Sequence, residues 1–372
     1  MRLRKLLKVL PDITLFKPSG FPKRIQEIVQ GIALRQRSVA VFGRNAEAEF
    51  LISNKFATVL ADDRDPNGLY AGARTSRLSD LSRDSILVNC STSVSPIDVQ
   101  RFITGATDAS VIHYSALCFY YPELFKLPDF VTSFRSEYDS NLDFYCSFYS
   151  LLSDDLSRQT FLNFLRYRYH FDLNAMKNYS VRLKDQYFED FIDLNGLGIV
   201  DGGGFDGDTA QEIVERFPHY REIFFFEPSS INMARAQARL RGVDRIVYHA
   251  LALSNVAGHL AFDPGAGSAS AVASTNDDMV EVRACRLDDV VDDRVDFIKL
   301  DLEGWELPAL EGSVGLVSKY HPKLAIAIYH SADDLRKITN WVLRNYSNKK
   351  IEVYLRHYTQ GWSETILYCI PS

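Results

Sequence analysis

The second half of the chain alternates short apolar runs with helix-like segments. Five of these runs have the length of buried strands and lie at residues 198–201, 222–227, 245–251, 296–301 and 323–330. Strands that alternate with helices form parallel sheets. Two further runs, residues 351–358 and 364–370, are joined by only a short turn and must be antiparallel to each other. The pattern predicts an α/β fold whose parallel sheet ends in an antiparallel hairpin.

The first half repeats the same alternation on a smaller scale. Its apolar runs lie at residues 38–43, 56–63, 85–91 and 109–114. Aromatic residues then crowd together at three- and four-residue spacing as far as about residue 190, which is typical of packed helices. We therefore predict four parts: a helical N-terminal segment (1–35), a Rossmann-like α/β domain (36–120), a helical, aromatic-rich connector (121–190) and a second Rossmann-like domain (191–372).

Composition excludes several classes of protein. A net charge of -6 argues against a nucleic-acid partner, because such proteins usually carry a basic excess. The five cysteines are far apart and form no CxxC pair, so neither a zinc knuckle nor a disulfide framework is indicated. The N-terminal run from Met1 to Leu10 is too short to be a signal sequence or a transmembrane segment. We expect a short helix there that packs on the body of the protein, or else an interfacial membrane helix. A cytoplasmic protein fits these features best.

A glycine-rich loop follows the first strand of the second half. It has the sequence DGGGFDGDT at residues 201–209 and precedes a helix-like segment. Glycines allow a tight turn and let a ligand approach the helix N-terminus closely. The loop contains both GxGxxG, which is typical of dinucleotide sites, and DxGxxxG, which is typical of methyltransferases. The motif alone does not separate these two functions.

The charge of the loop favours the second function. A dinucleotide would place its diphosphate beside Asp201, Asp206 and Asp208, at a cost of about 4 kcal/mol for like charges about 4 Å apart at an effective dielectric constant near 20. The helix N-terminus offsets only about 0.3–1 kcal/mol of this cost. S-adenosylmethionine carries an ammonium and a sulfonium group and no phosphate, so we expect the acidic loop to favour it. Glu227, at the end of the next strand, is placed to accept hydrogen bonds from ribose hydroxyls.

Three segments carry a resemblance to a known family. They are residues 201–209, Glu227-Pro228 and, most specifically, the block DFIKLDLEGWE at 296–306. In these segments the sequence resembles the FkbM family of methyltransferases, and residues 250–254, 286–289, 355–358 and 364–368 agree with it. The resemblance covers about 180 C-terminal residues. It implies a class I methyltransferase sheet and S-adenosylmethionine-dependent O-methylation, often of sugar hydroxyls in glycans or natural products.

The resemblance also bears on the first half of the chain. Some longer family members carry an N-terminal Rossmann-like domain with patterns similar to residues 41–43 and 60–63. Here the loop at residues 43–48 has only one glycine. We therefore favour a structural or partner-binding role for this domain over a site for a sugar nucleotide or another ligand.

Candidate site residues lie at the carboxyl ends of the predicted strands, where open parallel sheets bind their ligands. The residues predicted to bind the cofactor are Asp201, Gly202, Gly203, Gly204, Asp206, Gly207, Glu227, Pro228, Ala250, Leu251 and Asp301. Those predicted to act in catalysis are Asp301, Glu303, His330 and His357. Methyl transfer to a hydroxyl requires in-line attack and a group that takes up the proton, for which a histidine is suited. We expect His330, or else His357, to be this base.

Several interpretations of the neighbouring residues stay open. Asp301, Glu303 and His330 could instead bind Mg²⁺ or Mn²⁺, whose preferred ligands they supply. A surface salt bridge could explain Lys299 and Glu306. Trp305 and Trp362 could offer a flat apolar face to a sugar ring, although a core position is more common for tryptophan. Residues 265–270 are predicted to form a flexible loop over the site.

Two other classes of function compete with a methyltransferase. An NAD-dependent oxidoreductase could use the literal GxGxxG, and a noncatalytic nucleotide- or partner-binding protein could use the same fold. We expect a small-molecule or glycan acceptor, which would make the chain an enzyme of polysaccharide modification, with no nucleic acid and no transmembrane segment. A homo-oligomer is left open.

Overall fold

A computed structural model describes residues 21–37, 39–262 and 280–372. The helix predicted at residues 1–10 and the flexible loop predicted at residues 265–270 lie outside these ranges. The described chain begins with helix α1 (Lys23–Ala33), whose buried face carries Ile28, Val29 and Ile32. None of the helices within the described ranges has the length and apolar character that a membrane span requires.

The first sheet is formed by the apolar runs of the first half. Its strands are β1 (Val39–Phe42), β2 (Val59–Ala61), β3 (Leu69–Tyr70), β4 (Ala73–Ser76), β5 (Ile86–Asn89) and β6 (Ser110–His113), in the order β3-β4-β2-β1-β5-β6. All pairs are parallel except β3 with β4. Helices α2 (Ala46–Ser53), α3 (Pro96–Ala106) and α4 (Tyr114–Tyr120) belong to the same unit. The small β3–β4 hairpin is an addition to the predicted sheet.

Three helices follow and connect the two sheets: α5 (Asp129–Ser140), α6 (Leu142–Leu151) and α7 (Asp155–His170). Two 3₁₀ turns, Leu173–Met176 and Leu183–Asp185, complete the connection. Many of the aromatic residues in these helices are buried, among them Phe134, Tyr145 and Phe161, and they share one core with strands of the second sheet. The predicted aromatic stripe is therefore a core element that fastens the connector to the second sheet.

The second sheet has seven strands: β7 (Gly198–Gly202), β8 (Glu222–Phe226), β9 (Ile246–His249), β13 (Phe297–Leu300), β14 (Lys323–Ala327), β15 (Ile351–His357) and β16 (Thr365–Pro371). Their order in the sheet is β15-β16-β14-β13-β7-β8-β9. Only β16 is antiparallel to its neighbours, β14 and β15. Because β16 lies between them, β15 runs parallel to β14. The hairpin predicted from the short turn is present as β15 and β16.

Helices and a small third sheet surround this sheet. The helices are α8 (Asp208–Arg216), α9 (Ser230–Arg239), α10 (Leu287–Val290), α11 (Glu306–Glu311), α12 (Val314–Tyr320) and α13 (Asp334–Asn345). The third sheet is formed by β10 (Ala252–Leu253), β12 (Val280–Cys285) and β11 (Gly258–Phe262), and was not predicted from the sequence. The carboxyl ends of β7, β8, β13 and β14 meet at one edge of the seven-stranded sheet, which is where the candidate residues lie.

Candidate active site

The glycine loop joins β7 to α8 and packs tightly against the neighbouring strand. Gly203 and Gly207 have φ values of 71° and 85°, a region that favours glycine. A Cβ atom at Gly203 would overlap the carbonyl oxygen of Asp301, just beyond β13. The glycine at position 203 is therefore required by packing inside the domain, in addition to any need for a ligand to approach.

A buried ion pair lies beneath this loop. The ammonium of Lys299 is 3.0 Å from Asp201 Oδ1 and donates hydrogen bonds to the carbonyl oxygens of Gly202 and Gly203, at 3.1 and 2.7 Å. Although burial alone would lower it, the carboxylates of Asp201 and Asp301 raise the pKa of Lys299. The interpretation of Lys299 as one half of a surface salt bridge is wrong, because both partners are buried. Lys299 supports the loop from below.

The charge of the loop differs from what the sequence indicated. Asp201 is paired with Lys299, and Asp206 is paired with the guanidinium of Arg239, which also donates a 2.9 Å hydrogen bond to the Asp206 carbonyl oxygen. Asp208 is exposed. The argument that three aspartates would repel a diphosphate is therefore wrong for two of them, since a cation neutralises each. Loop charge does not decide between the two cofactors.

Glu227 follows β8 and ties its end to the glycine loop. One of its carboxylate oxygens accepts the amide of Phe205 at 3.0 Å, and the other accepts the amide of Ser229 at 2.8 Å. Burial raises the pKa of Glu227. Pro228, Ala250 and Leu251 lie just beyond β8 and β9, at the same edge of the sheet. Their contact with a cofactor, and that of Glu227 with a ribose, stay predictions.

A cluster of one histidine and three carboxylates forms the centre of the site. His330, three residues beyond β14, places Nε2 3.2 Å from Glu303 Oε2 and 3.6 Å from Asp301 Oδ1. Its other nitrogen, Nδ1, is 3.0 Å from Glu306 Oε1. The ring is therefore in ionic contact with these carboxylates, but neither nitrogen forms a well-aligned hydrogen bond with a described residue. The structure thus brings together three of the four residues predicted to act in catalysis.

Glu306 has a different role from the predicted one. A surface salt bridge was one explanation for it, but the side chain is completely buried. Its Oε1 accepts the amides of Leu302 and Gly304 at 2.6 and 3.3 Å. Between them Glu303 has a φ of 52°, which is unusual for a residue other than glycine. Strained backbone of this kind is concentrated at functional sites, and Glu306 holds the strained turn in place.

The protonation of His330 follows from its surroundings. Burial alone would lower its pKa, but the carboxylates of Glu306 and Glu303 raise it well above the usual value. The described cluster therefore favours the charged imidazolium, whereas a general base must be neutral before it accepts a proton. The role of His330 as the base stays a prediction, and in this arrangement the ring would first have to lose its proton.

Three residues beside the cluster were not predicted as site residues from the sequence: Tyr187, Tyr329 and Glu364. The Tyr187 hydroxyl donates to Asp301 Oδ2 at 2.7 Å, and the Tyr329 hydroxyl lies 3.3 Å from Asp301 Oδ1 and 3.2 Å from Glu364 Oε2. Burial, with the Asp301 charge, raises the pKa of Glu364 to about 7. Glu364 begins a segment that carried the family resemblance, so a signal was available for it, whereas no motif pointed to Tyr187.

Two cavities meet at Tyr329. One, of about 610 Å³, is bordered by Gly203, Phe205, Asp301 and Glu303. The other, of about 780 Å³, lies between the first sheet and the seven-stranded sheet, and His330 lines it. We call the second cavity the interdomain cleft.

The remaining candidates lie apart from the cluster. His357 is buried, lines neither cavity, and places Nδ1 2.9 Å from Thr365 Oγ1 and Nε2 3.3 Å from Thr359 Oγ1. The structure thus does not bring His357 to the other predicted catalytic residues, because its ring is used in packing. Trp362 lines the interdomain cleft, whereas the Trp305 indole lies 3.4 Å from the Ser254 hydroxyl.

The fold and the sequence of this chain match known proteins. Over 99% of its length it superposes on 98% of the crystal structure of a methyltransferase FkbM from Methylobacillus flagellatus KT, with a TM-score of 0.73 and 20% identity. A weaker match, with a TM-score of 0.34 and 15% identity, covers 54% of this chain and 77% of fibrillarin from Aeropyrum pernix, whose crystal structure contains S-adenosyl-L-methionine. The first of these matches shows the fold. No protein with a curated description matches the chain.

The family model confirms the resemblance seen in the sequence. It is the model of the methyltransferase FkbM domain, and it matches residues 201–360, from the start of the glycine loop to just before β16. This range includes Asp201, Glu227, Asp301 and His330. Residues 201–360 are therefore a methyltransferase domain of the FkbM family, in a chain whose whole fold matches that of an FkbM methyltransferase.

Proposed function

We propose that this chain is an S-adenosylmethionine-dependent O-methyltransferase that modifies a sugar hydroxyl in a glycan or natural product. The observation that carries the proposal is the meeting of the glycine loop, Asp301 and the His330 cluster at one edge of the sheet, inside a methyltransferase domain. The glycine loop and Glu227 would bind the nucleoside and methionine parts of the cofactor. The sugar acceptor is what the family resemblance implies.

The chemistry requires a path for one proton. The acceptor oxygen attacks the methyl carbon of the sulfonium, so an O–C bond forms while the C–S bond breaks, and the hydroxyl proton must leave. Asp301 and Glu303 each place a carboxylate oxygen within 3.6 Å of His330 Nε2. Because the neighbouring carboxylates favour the imidazolium form of His330, a carboxylate of this group would take up the proton, and the positive charge of His330 would stabilise the carboxylate before the transfer. Glu364, with a pKa of about 7, is close enough through Tyr329 to share it.

A divalent cation is the alternative use of the same residues. One ligand atom each from Asp301, Glu306 and His330 lies within 4.8 Å of the others, which differs from the predicted set in having Glu306 in place of Glu303. Carboxylate oxygens suit Mg²⁺ or Mn²⁺, and the buried His330 nitrogens lack hydrogen-bond partners among the described residues. A cation there would orient the acceptor oxygen and lower the pKa of the hydroxyl.

Ligand-induced stabilisation tests the proposed function directly. A ligand that binds the folded chain raises its melting temperature, and we expect S-adenosylhomocysteine to do so while NADH does not. Stabilisation by NADH alone would instead indicate an oxidoreductase, and no response to either would indicate a noncatalytic protein. Mass spectrometry of glycans from a deletion strain would then identify the acceptor by the loss of methyl groups. The predicted domain boundaries, the cytoplasmic location and any homo-oligomer stay predictions.

A further inference from the structure

The interdomain cleft has walls from all three parts of the chain. Glu47 and Thr92 come from the first sheet, Phe130 and Arg168 from the connector, and His330 from the catalytic domain. The cleft therefore extends from the first sheet to the candidate site, and with about 780 Å³ it has the size of a ligand site. Tyr329 separates it from the cavity beside the glycine loop.

A buried cation lines this cleft without an acidic partner. Arg168 is only 1% exposed, and none of the described Asp or Glu residues lies within ion-pair distance of it. Its Nη2 donates to the carbonyl oxygens of Tyr329 and Trp362 at 2.6 and 3.3 Å, while its Nε has no hydrogen-bond partner among the described residues. The guanidinium also lies over the Phe164 ring, 4.8 Å from its centroid.

These contacts compensate the buried charge only in part. A cation removed from water costs several kcal/mol unless an anion and hydrogen bonds replace its hydration. Carbonyl dipoles and an aromatic face replace only part of that hydration. Burial accordingly lowers the pKa of Arg168 to about 10. By contrast Arg44, at another wall of the cleft, is paired with Asp62 and Asp65. Arg168 thus has no ion-pair partner among the described residues, and the Asp334 carboxylate acts on its charge only from beyond ion-pair distance.

The other walls of the cleft suit a polyhydroxylated ring. Trp362 and Phe130 stack with 5.7 Å between their ring centroids and offer an aromatic surface. The Glu47 carboxylate is half-buried and has only a long contact, 3.5 Å, with the Thr92 hydroxyl. It can accept hydrogen bonds from ligand hydroxyls. The aromatic faces thus suit a sugar ring, the Glu47 carboxylate suits its hydroxyls, and the Arg168 cation suits an anionic substituent on it.

We propose that the interdomain cleft is the acceptor site and that the acceptor sugar carries an oxyanion, a carboxylate or a phosphate, which binds to Arg168. The inference rests on the proposed methyltransferase function and names its substrate class. The anion would lie close to the candidate site, because the Arg168 guanidinium is hydrogen-bonded to the residue before His330. The first domain would then contribute directly to the choice of acceptor.

Calorimetric titrations of the full chain test the proposal with three matched sugars: glucose, glucuronate and glucose 6-phosphate. The chain is first saturated with S-adenosylhomocysteine. We expect at least one anionic sugar to bind about tenfold or more tightly than glucose, and the comparison between the two anionic sugars distinguishes carboxylate from phosphate. Equal affinities for the three sugars, or no binding of any of them, would overturn the proposal.

Variants at Arg168 identify the residue responsible. In Arg168→Gln the preference for the anionic sugar should disappear, whereas Arg168→Lys should keep part of it, because lysine retains the charge without the planar fork. The matched control Arg101→Gln removes an exposed arginine and should keep the full preference. An anion preference that survives in Arg168→Gln would refute the role of Arg168. If this variant does not fold, the reduction of the preference in Arg168→Lys carries the test.

Failure of the inference and failure of the proposed function give different results. The affinity for S-adenosylhomocysteine is measured first, in the absence of sugar. A chain that does not bind it would contradict the methyltransferase proposal, and the sugar titrations without cofactor would still report on the cleft. A chain that binds the cofactor but shows no anion preference would contradict only the inference.

Discussion

At the scale of single residues, the site is organised by how buried charges are paired. Lys299 with Asp201 and His330 with its carboxylates are both enclosed, whereas Arg168 lacks an acidic partner among the described residues. A buried charge that loses its partner is costly, typically by about 3–5 kcal/mol. Substitutions at these positions should therefore change stability or activity strongly. Measuring both quantities should show which residues support the fold and which take part in the reaction.

His330→Ala is the most informative change in the cluster. We expect turnover to fall by about 100-fold or more, because the proton-accepting group loses the cation that holds its carboxylates together. The affinity for S-adenosylhomocysteine should stay within about threefold, since His330 lines the interdomain cleft and does not border the cavity beside the glycine loop. Steady-state kinetics and calorimetry measure the two effects separately. Unchanged turnover would exclude His330 from the chemistry.

Chelation distinguishes the two roles that His330 could have. If His330 and its carboxylates act through protons alone, EDTA leaves the turnover of the unmodified chain unchanged. If they hold a divalent cation, EDTA abolishes turnover and added Mg²⁺ or Mn²⁺ restores it. In that case the His330→Ala variant should also bind the cation more weakly, which calorimetry with the metal alone would detect.

At the scale of elements, the glycine loop shows how tight packing constrains a motif. The left-handed φ at Gly203 and the nearby carbonyl oxygen of Asp301 both exclude a side chain. This backbone geometry is compatible with both motifs that the loop contains, GxGxxG and DxGxxxG. The family match, and not the spacing of glycines, therefore separates them.

Gly203→Ala should disturb both the loop and the adjoining strand β13. A left-handed conformation costs an alanine about 1–2 kcal/mol, and the overlap with Asp301 adds to this. We expect a lower melting temperature and at least about tenfold weaker binding of S-adenosylhomocysteine. Gly105→Ala is the matched control, because that glycine lies in helix α3 with no atom near its Cβ position, and there alanine should be neutral or stabilising. Normal stability and binding in Gly203→Ala would refute this account of the loop.

The buried strands could be predicted from the sequence, but the side-chain contacts between neighbouring strands could not. Strands β7, β8, β13 and β14 were predicted because each is an apolar run of about five residues. The small sheet was missed although its strand β12 alternates between apolar and polar residues, whereas β10, with two residues, carries no periodic signal. The contact of Lys299 with Asp201 depends on the register between β13 and β7. This register cannot be derived from the spacing of residues along the chain.

At the scale of the whole molecule, the two sheets are joined by hydrogen bonds across their boundary. The Tyr167 hydroxyl donates to the carbonyl oxygen of Thr92 at 2.9 Å, and the amide of Gln360 donates to the carbonyl oxygen of Val94 at 2.8 Å. The interdomain cleft is therefore bounded by elements that are fixed to one another. We therefore expect the two sheets to unfold together, so that one free energy of unfolding describes the entire chain.

Two buried histidines should make that stability depend on pH. Burial lowers the pKa of His113 to about 4, and burial together with the charge of Arg168 lowers that of His357 to about 3. In the unfolded chain a histidine has a pKa near 6.5. Between pH 6.5 and these lower values each histidine binds more protons in the unfolded chain than in the folded one, so its contribution to the free energy of unfolding falls as the pH falls. Glu364, whose pKa is raised to about 7, contributes in the opposite direction, so the histidine contribution is measured as the difference between matched variants. Above pH 6.5 their contribution is fully present.

Denaturant titrations between pH 7.5 and 5 measure this dependence. Each histidine should contribute a slope of up to about 1.4 kcal/mol per pH unit below pH 6.5. His357→Gln should remove one of the two contributions, whatever its effect on stability at pH 7.5, because glutamine binds no proton. His219→Gln, at an exposed position, is the matched control and should leave the slope as it is. An unchanged slope in His357→Gln would mean that His357 takes up its proton alike in the folded and the unfolded chain, and the structural role of its ring against Thr359 and Thr365 would have to be abandoned.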